Sequence, residues 1–96
     1  MKKKYYTYII LTKKNTFYCG YTDDVEKRFW AHVKGKGAKY TRAYKPEKVV
    51  YVKEFETKEQ AQTHERILKK LNKQQKTTTI ENTVLLEKYK SLQNFT

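Results

Sequence analysis

Two runs of aromatic and β-branched residues, separated by a polar turn, constrain the fold of this chain more than any other feature. Residues 5–12 and 16–22 are dense in Tyr, Ile, Thr and Phe, and residues 13–15 between them are Lys-Lys-Asn. The pattern predicts a β-hairpin. Facing residues share parity across a three-residue loop, so Tyr8 and Tyr18 are expected on one side of the hairpin, whereas a two-residue turn would separate them.

Two helices are predicted from their caps and from the spacing of apolar residues. Asp24 can cap a helix over residues 24–34, in which apolar residues recur every three or four positions. Glycines then open a basic loop that runs to residue 46. Thr57, with Gln three residues later, has the capping-box pattern and starts a second helix that reaches about residue 71.

A third strand is predicted over residues 49–55. Strict alternation would place Val50 and Val52 on one face and Val49 and Tyr51 on the other. Beyond the second helix the pattern weakens to a short basic turn near residues 73–76 and a last helix over about residues 84–92. The order β-β-α-β-α plus a weak helical tail indicates an α+β fold, with a three-stranded, mainly antiparallel sheet flanked by helices.

The formal net charge of +12, from 22 Lys and Arg against 10 Asp and Glu, restricts the partners of the chain. A domain this basic repels itself, and an acidic polymer relieves the repulsion. Nucleic acid is the first candidate, because each neutralised phosphate releases counterions. An anionic membrane surface is the second, and charge that only serves solubility is the third.

Cysteine content and hydropathy bear on the compartment. The single cysteine, Cys19, excludes an internal disulfide and a multi-cysteine zinc site. The apolar run after the basic start ends at Leu11, which is too short for a signal peptide, and no stretch approaches the ~20 apolar residues of a membrane helix. We expect a soluble, cytoplasmic protein with no membrane association and no obligatory protein partner.

Two residues on the first predicted helix could handle a phosphate. Arg28 and His32 are four apart and therefore share a face. A guanidinium presents a fork of donors that suits phosphate oxygens, and an imidazole can exchange a proton near neutral pH. The ordinary alternative is a solvated helix face, just as Tyr8 and Tyr18 could be plain cross-strand neighbours.

Glu65 is the candidate metal ligand. It lies on the second helix in line with Ala61 and Leu68, where we expect partial burial. A carboxylate on such a stripe needs a cationic side chain or a metal ion as its partner. The alternative is a surface ion pair with Arg66 or Lys69.

The loop after the first helix is the candidate nucleic-acid footprint. Its cations are Lys34, Lys36, Lys39, Arg42 and Lys45. Tyr40 and Tyr44 lie among them and could stack on exposed bases. Contacts to the backbone carry little sequence information, so we expect weak sequence preference. The alternative for this loop is solvated charge without a defined contact.

Residues 6–8 (Tyr-Thr-Tyr) and 18–20 (Tyr-Cys-Gly) are similar to the paired motifs of the GIY-YIG nucleases. That family includes intron-homing endonucleases, restriction enzymes and the incision domain of bacterial excision repair. Arg28 and Glu65 match the family's arginine and metal-binding glutamate, and His32 matches a histidine found in part of the family. The glycine and isoleucine of the first motif and the isoleucine of the second are replaced here.

The resemblance extends along most of the chain. Residues 21–28 and 35–42 are similar to the small stand-alone bacterial members of the family. The resemblance implies a GIY-YIG-like nuclease core over residues 5–77 within a single domain of residues 1–96. Residues 78–96 would then form a C-terminal tail or helix.

The resemblance implies single-metal hydrolysis of phosphodiester bonds in nucleic acid, with DNA favoured over RNA and RNA still open. Glu65 would hold one Mg²⁺ or Mn²⁺, weakly without substrate, since Mg²⁺ keeps several waters and uses one or two carboxylates. Tyr8 or Tyr18 would orient and help to deprotonate the attacking water, with a nearby cation lowering the phenol pKa from ~10. Arg28 would stabilise charge on the phosphoryl oxygens. His32 would relay a proton or hold a phosphate, and the second role is favoured.

Other classes of function stay open on sequence alone. The first alternative is a non-catalytic nucleic-acid-binding module of the same fold, which needs no metal. The second is a protein-interaction or ribosome-associated protein, in which the candidate site residues should not converge. A membrane-surface role is the weakest, because neither helix combines a long cationic face with a broad apolar one.

Overall fold

The computed structural model describes residues 3–95, which form a three-stranded antiparallel sheet in the order β2-β1-β3 with helices on both faces. The elements in chain order are β1 Tyr5–Thr12, β2 Phe17–Thr22, α1 Val25–Val33, α2 Lys39–Ala43, β3 Pro46–Phe55, α3 Lys58–Lys69, α4 Lys73–Glu81 and α5 Glu87–Lys90. The predicted α+β fold with a three-stranded sheet is confirmed. No helix in the described range combines the length and the apolar character needed to cross a bilayer.

The hairpin has the predicted odd-length loop. Tyr8 pairs with Gly20 and Ile10 pairs with Tyr18, so residues that face each other share parity. Asn15 closes the turn in the left-handed region, with φ of 60°, a conformation that Asn tolerates better than most residues. Tyr8 and Tyr18 therefore lie on the same side of the hairpin, with ring centroids 6.4 Å apart.

The two faces of the sheet carry separate apolar clusters. On one face α1 and α5 cover a cluster of Tyr8, Ile10, Val25, Phe29, Val49, Tyr89 and Leu92. On the other face α3 covers a cluster of Ile9, Cys19, Tyr51 and Leu68. Because successive side chains of β1 point to opposite faces, this central strand contributes to both clusters.

A bulge in β3 overturns the predicted alternation of that strand. Ile9 pairs with Tyr51 whereas Ile10 pairs with Val49, so Val50 is an extra residue without a partner in the register. An extra residue shifts the side-chain period by one. Val49 consequently packs on the α1 face and Tyr51 on the α3 face, and the prediction that they share a face is wrong.

The helix caps agree with the sequence, and the later elements differ from it. The side chain of Asp24 caps α1, and Thr57 forms the predicted capping box of α3. A short helix, α2, interrupts the expected basic loop. The expected turn near residue 73 is the start of α4, which has its own capping box at Asn72. The last helix spans only Glu87–Lys90.

Candidate active site

A cleft of about 510 Å³ lies across the edge of β2, between α1 on one face of the sheet and α3 on the other. It is lined by Tyr5, Tyr8, Tyr18, Gly20, Tyr21, Thr22, Asp23, Arg28, Lys58 and Glu65. The cleft thus brings together four of the five residues predicted to carry catalysis and metal binding. His32, the fifth, does not line it.

Tyr8 points from the central strand toward the cleft and is only 2% exposed. Its hydroxyl lies 2.8 Å from Nε2 of His32. A Cβ atom at Gly20, the residue opposite Tyr8, would lie 2.5 Å from the Tyr8 hydroxyl. The second motif therefore needs glycine at this position so that the phenol can reach the cleft.

Burial decides the protonation state of Tyr8. Loss of solvent and the neighbouring Tyr18 raise the pKa of Tyr8 well above its ordinary value of ~10, and a hydrogen bond and positive charge from Arg28 only partly oppose this. Arg28 acts on the pKa of Tyr8 in the expected, lowering direction, but burial outweighs it, so the net pKa in the protein alone is raised. At pH 7 Tyr8 is a neutral phenol.

His32 has no exposed surface and uses both ring nitrogens. Nε2 faces the Tyr8 hydroxyl, and Nδ1 lies 2.8 Å from Oγ1 of Thr41. Burial, and to a smaller extent the charge of Arg28, lower the pKa of His32 to about 4. Because a fully buried imidazole cannot reach a substrate oxygen, the favoured role of holding a phosphate is corrected to a contact with Tyr8.

The backbone of Gly37 packs directly on this imidazole. A Cβ atom there would lie 2.0 Å from Nδ1 of His32, and the nearest atoms all belong to that side chain. We expect Gly37→Ala to lower the free energy of unfolding by about 1–3 kcal/mol through overpacking, measured by urea denaturation. In a His32→Ala background the same change should cost much less, and an equal cost in both backgrounds would contradict the contact.

Tyr18 and Arg28 complete the α1 side of the cleft. Tyr18 is half-buried, and its ring packs edge-on against His32 with centroids 5.1 Å apart. Burial raises the pKa of Tyr18, while the positive charges of Lys69 and Arg28 oppose the rise. Arg28 is partly exposed within the cleft, so its guanidinium can contact an anion that enters.

Glu65 faces the two tyrosines from α3, with its side chain 15% exposed. Its Oε2 lies 3.5 Å from Nζ of Lys69, so one of the two alternatives considered for its partner is present. Among residues 3–95 no three His, Cys, Asp or Glu side chains converge, which excludes a closed multi-ligand metal site there. A single carboxylate in an open, polar cleft with room for a phosphate fits a hydrated Mg²⁺ or Mn²⁺ that takes its other ligands from water and substrate.

Residues 34–45, which we call the basic loop, lie beside the α1 side of the cleft. The six residues predicted to bind nucleic acid are all exposed, namely Lys34, Lys36, Lys39, Tyr40, Arg42 and Lys45. Tyr40 stacks on Tyr18 with centroids 5.9 Å apart, and Tyr44 follows Tyr40 at 4.8 Å. An aromatic row therefore leads from the cleft into the loop.

Several contributors to the cleft were not predicted from the sequence, and Lys58 and Thr41 are two of them. Lys58, the first residue of α3, lines it. Thr41 is buried behind it, where its hydroxyl contacts His32 and donates to the carbonyl of Ala38 at 2.9 Å. No local pattern marks either residue, because both acquire their place only when α2 and α3 pack on the hairpin.

Comparison with known proteins places this geometry in context. The family model described as the GIY-YIG catalytic domain matches residues 4–78. The chain is 42% identical over 87 residues to the UPF0213 protein YsiG of Lactococcus lactis, covering 90% of this chain and 84% of that protein. It is 48% identical over 71 residues to the UPF0213 protein CPE1444 of Clostridium perfringens, covering 74% and 76%.

Two solution NMR structures share the fold. The UPF0213 protein BH0048 of Bacillus halodurans aligns with a TM-score of 0.53 and 38% identity, over 81% of this chain and 83% of that one. The protein EF2693 of E. faecalis aligns with a TM-score of 0.56 and 35% identity, over 90% and 95%. Each similarity covers more than four fifths of both chains.

Proposed function

The chain belongs to the GIY-YIG catalytic domain family, and we propose that it is a metal-dependent endonuclease that hydrolyses phosphodiester bonds in DNA with low sequence specificity. The observation that carries the proposal is convergence. Two phenols from the hairpin, a guanidinium from α1 and a carboxylate from α3 line one cleft although they are far apart in sequence. Hydrophobic packing of the helices on the sheet does not require these four polar side chains to meet at the edge of β2.

In this proposal Glu65 holds one Mg²⁺ or Mn²⁺. The bound cation supplies Lewis-acid stabilisation of the scissile phosphate and of the leaving oxygen. Arg28, on the opposite wall, binds a phosphoryl oxygen and stabilises the charge that develops there. Tyr18 holds the attacking water through its hydroxyl and limits the width of the cleft on the side of the basic loop.

Tyr8 and His32 move the proton of the attacking water. Thr41 donates its single hydroxyl proton to Ala38, so its oxygen accepts from Nδ1–H of His32 and leaves Nε2 to accept from Tyr8. The Ala38 N–H also points at this Nδ1 from 3.4 Å, at the long end of the range, so we assign the tautomer of His32 from the shorter Thr41 contact. Tyr8 takes a proton from water as it passes its own to His32, so no phenolate persists.

The depressed pKa of His32 suits this role before substrate binds. At pH 7 the imidazole is neutral and able to accept a proton. An anionic phosphate in the cleft favours the imidazolium, because an opposite charge nearby stabilises the charged form. Arrival of the substrate therefore makes the proton transfer from Tyr8 more favourable than it is in the free protein.

The runner-up is a nucleic-acid-binding module without catalysis, and one contact favours it. The ion pair between Glu65 and Lys69 neutralises the carboxylate that a cation would need. At 3.5 Å, and with Lys69 half exposed, the pair is a surface-type interaction worth about 0–1 kcal/mol. The Lys69 ammonium is held so weakly that a divalent cation entering with a phosphate can displace it from Glu65. We therefore favour hydrolysis over binding without catalysis.

Glu65→Gln and Arg28→Ala are each expected to lower the rate of DNA cleavage about 10²- to 10³-fold, with binding to the same DNA retained. Cleavage of single-stranded, nicked and branched DNA is measured in the presence of Mn²⁺, and binding of the same DNA is measured in EDTA. Glu59→Gln, the same change on an exposed site of α3 outside the cleft, is the control. Salt-sensitive binding without cleavage of any substrate by the unaltered protein would favour the non-catalytic module.

A further inference from the structure

Residues 66–80, here called the α3–α4 arm, carry positive charge that has no role in the reaction proposed for the cleft. The arm contains five cations and no Asp or Glu, the cations being Arg66, Lys69, Lys70, Lys73 and Lys76. The basic loop likewise contains five Lys and Arg residues and no acid. These two acid-free segments together hold ten of the 22 Lys and Arg residues, five in each.

Specific contacts place the arm beside the cleft, on the side away from the basic loop. Lys69 lies 3.5 Å from Glu65, which lines the cleft from α3. Nζ of Lys73 donates to the carbonyl of Asn15 at 2.7 Å, so α4 begins next to the turn between β1 and β2. Since α1 and α3 cover opposite faces of the sheet, the two basic segments border opposite sides of the cleft.

The start of α4 has the wrong charge for a helix in isolation. Its first turn holds Lys73 and Lys76 and no acidic residue, and the helix has no buried residue. Cations at the positive end of a helix dipole are unfavourable by about 0.3–1 kcal/mol. An anion placed there would make the interaction favourable, because it would be attracted both by the lysines and by the positive end of the helix dipole.

We propose that the α3–α4 arm is a second surface for the nucleic-acid backbone, opposite the basic loop. One strand then crosses the edge of β2 with phosphates held on both sides of the bond in the cleft. The path through the cleft rests on the proposed function, but the contact itself requires neither a metal nor cleavage. The chemistry recognised is a row of backbone phosphates, which DNA and RNA share.

The test removes two charges from the arm and compares the loss with the same change elsewhere. The variant is Lys73→Gln with Lys76→Gln, and the control is Lys88→Gln with Lys90→Gln on α5, which packs on β3 at the other edge of the sheet. Both lower the formal net charge from +12 to +10. Binding of fluorescein-labelled 20-nucleotide DNA and RNA strands of one sequence is measured in EDTA at several salt concentrations.

The arm variant should lower the slope of log K against log salt by about 1.4, because each of two lost phosphate contacts contributes about 0.7 on a single strand. This corresponds to a loss of affinity of about 25-fold at 0.1 M salt. The α5 control should change little. Losses for either polymer beyond the control support the proposal. Equal effects of the two variants, or no binding by the unaltered protein, overturn it.

Two further measurements keep the outcome decisive. Thermal unfolding shows whether the double variant is folded, and Lys70→Gln, at an exposed position after α3, offers a single change that should lower the slope by about 0.7. If the unaltered protein cuts nothing while the slope difference persists, the nuclease proposal fails and the second surface stands. If the unaltered protein cleaves DNA, and the arm variant and the α5 control have equal salt slopes, only the proposal of a second surface is wrong.

Discussion

Tyr8→Phe is expected to slow cleavage about 10²- to 10⁴-fold, the range for loss of a group that transfers a proton in the transition state. Binding of nucleic acid should not change, because Tyr8 is 2% exposed and contributes almost no surface to a ligand. The change also leaves Nε2 of His32 buried without its hydrogen bond, which should cost about 1–3 kcal/mol of stability. Single-turnover cleavage rates, affinity in EDTA and urea denaturation measure the three effects.

The chain contains a matched control for this variant. On the other face of the sheet the Tyr51 hydroxyl lies 2.7 Å from Nε2 of His64, so the same phenol–imidazole pair exists away from the cleft. Tyr51→Phe should lower stability by a smaller amount, because His64 is only partly buried and water can replace the lost bond, and it should leave the cleavage rate within a few fold. If the two variants lose activity equally, the loss reflects stability and Tyr8 has no part in the reaction.

Acidification from pH 7 to pH 4 is expected to remove about 3 kcal/mol of the free energy of unfolding through His32 alone. Burial holds the pKa of His32 at about 4 in the folded protein, against an ordinary value of 6.5. Between these values the unfolded chain binds more protons, so stability is fully present above pH 6.5 and falls as the pH drops toward 4. Typical domains have only 5–15 kcal/mol in total.

The pH effect can be assigned to one residue. His64 also has a lowered pKa, from burial and the charge of Lys53, and acts in the same direction. His32→Gln should flatten the dependence of unfolding free energy on pH between 4 and 6.5, whereas His64→Gln should flatten it less. NMR titration of the unaltered protein gives the pKa directly if the first variant does not fold. A midpoint for His32 near 6.5 would contradict the buried, neutral imidazole.

Sequence alone could predict those parts of the fold that local chemistry decides. The hairpin, its loop parity and the caps at Asp24 and Thr57 depend on residues close together in the chain. The bulge at Val50 could not be predicted, since it depends on how Ile9 and Ile10 register with the third strand. Helix α4 has almost no apolar periodicity, so the pattern that predicted α1 and α3 gave only a basic turn there.

The same distinction applies to the cleft. Spacing on α1 correctly placed Arg28 and His32 on one face, but could not show that one would be partly exposed and the other fully buried. His32 is buried because the basic loop folds over it, with Gly37 and Thr41 in contact with its imidazole. The direction of the Tyr8 pKa was missed for the same reason, because desolvation outweighs a neighbouring cation only when the packing is known.

The position of β2 at the rim of the sheet has a consequence for how copies of this protein meet. A rim strand exposes main-chain donors and acceptors that can template a strand from a neighbouring molecule. Here that rim is bordered by lysines and arginines on both sides, so two copies approaching edge to edge repel each other. The cations that attract a polyanion therefore also discourage aggregation. A nucleic-acid strand bound across the edge of β2 would in addition shield that edge from a second copy.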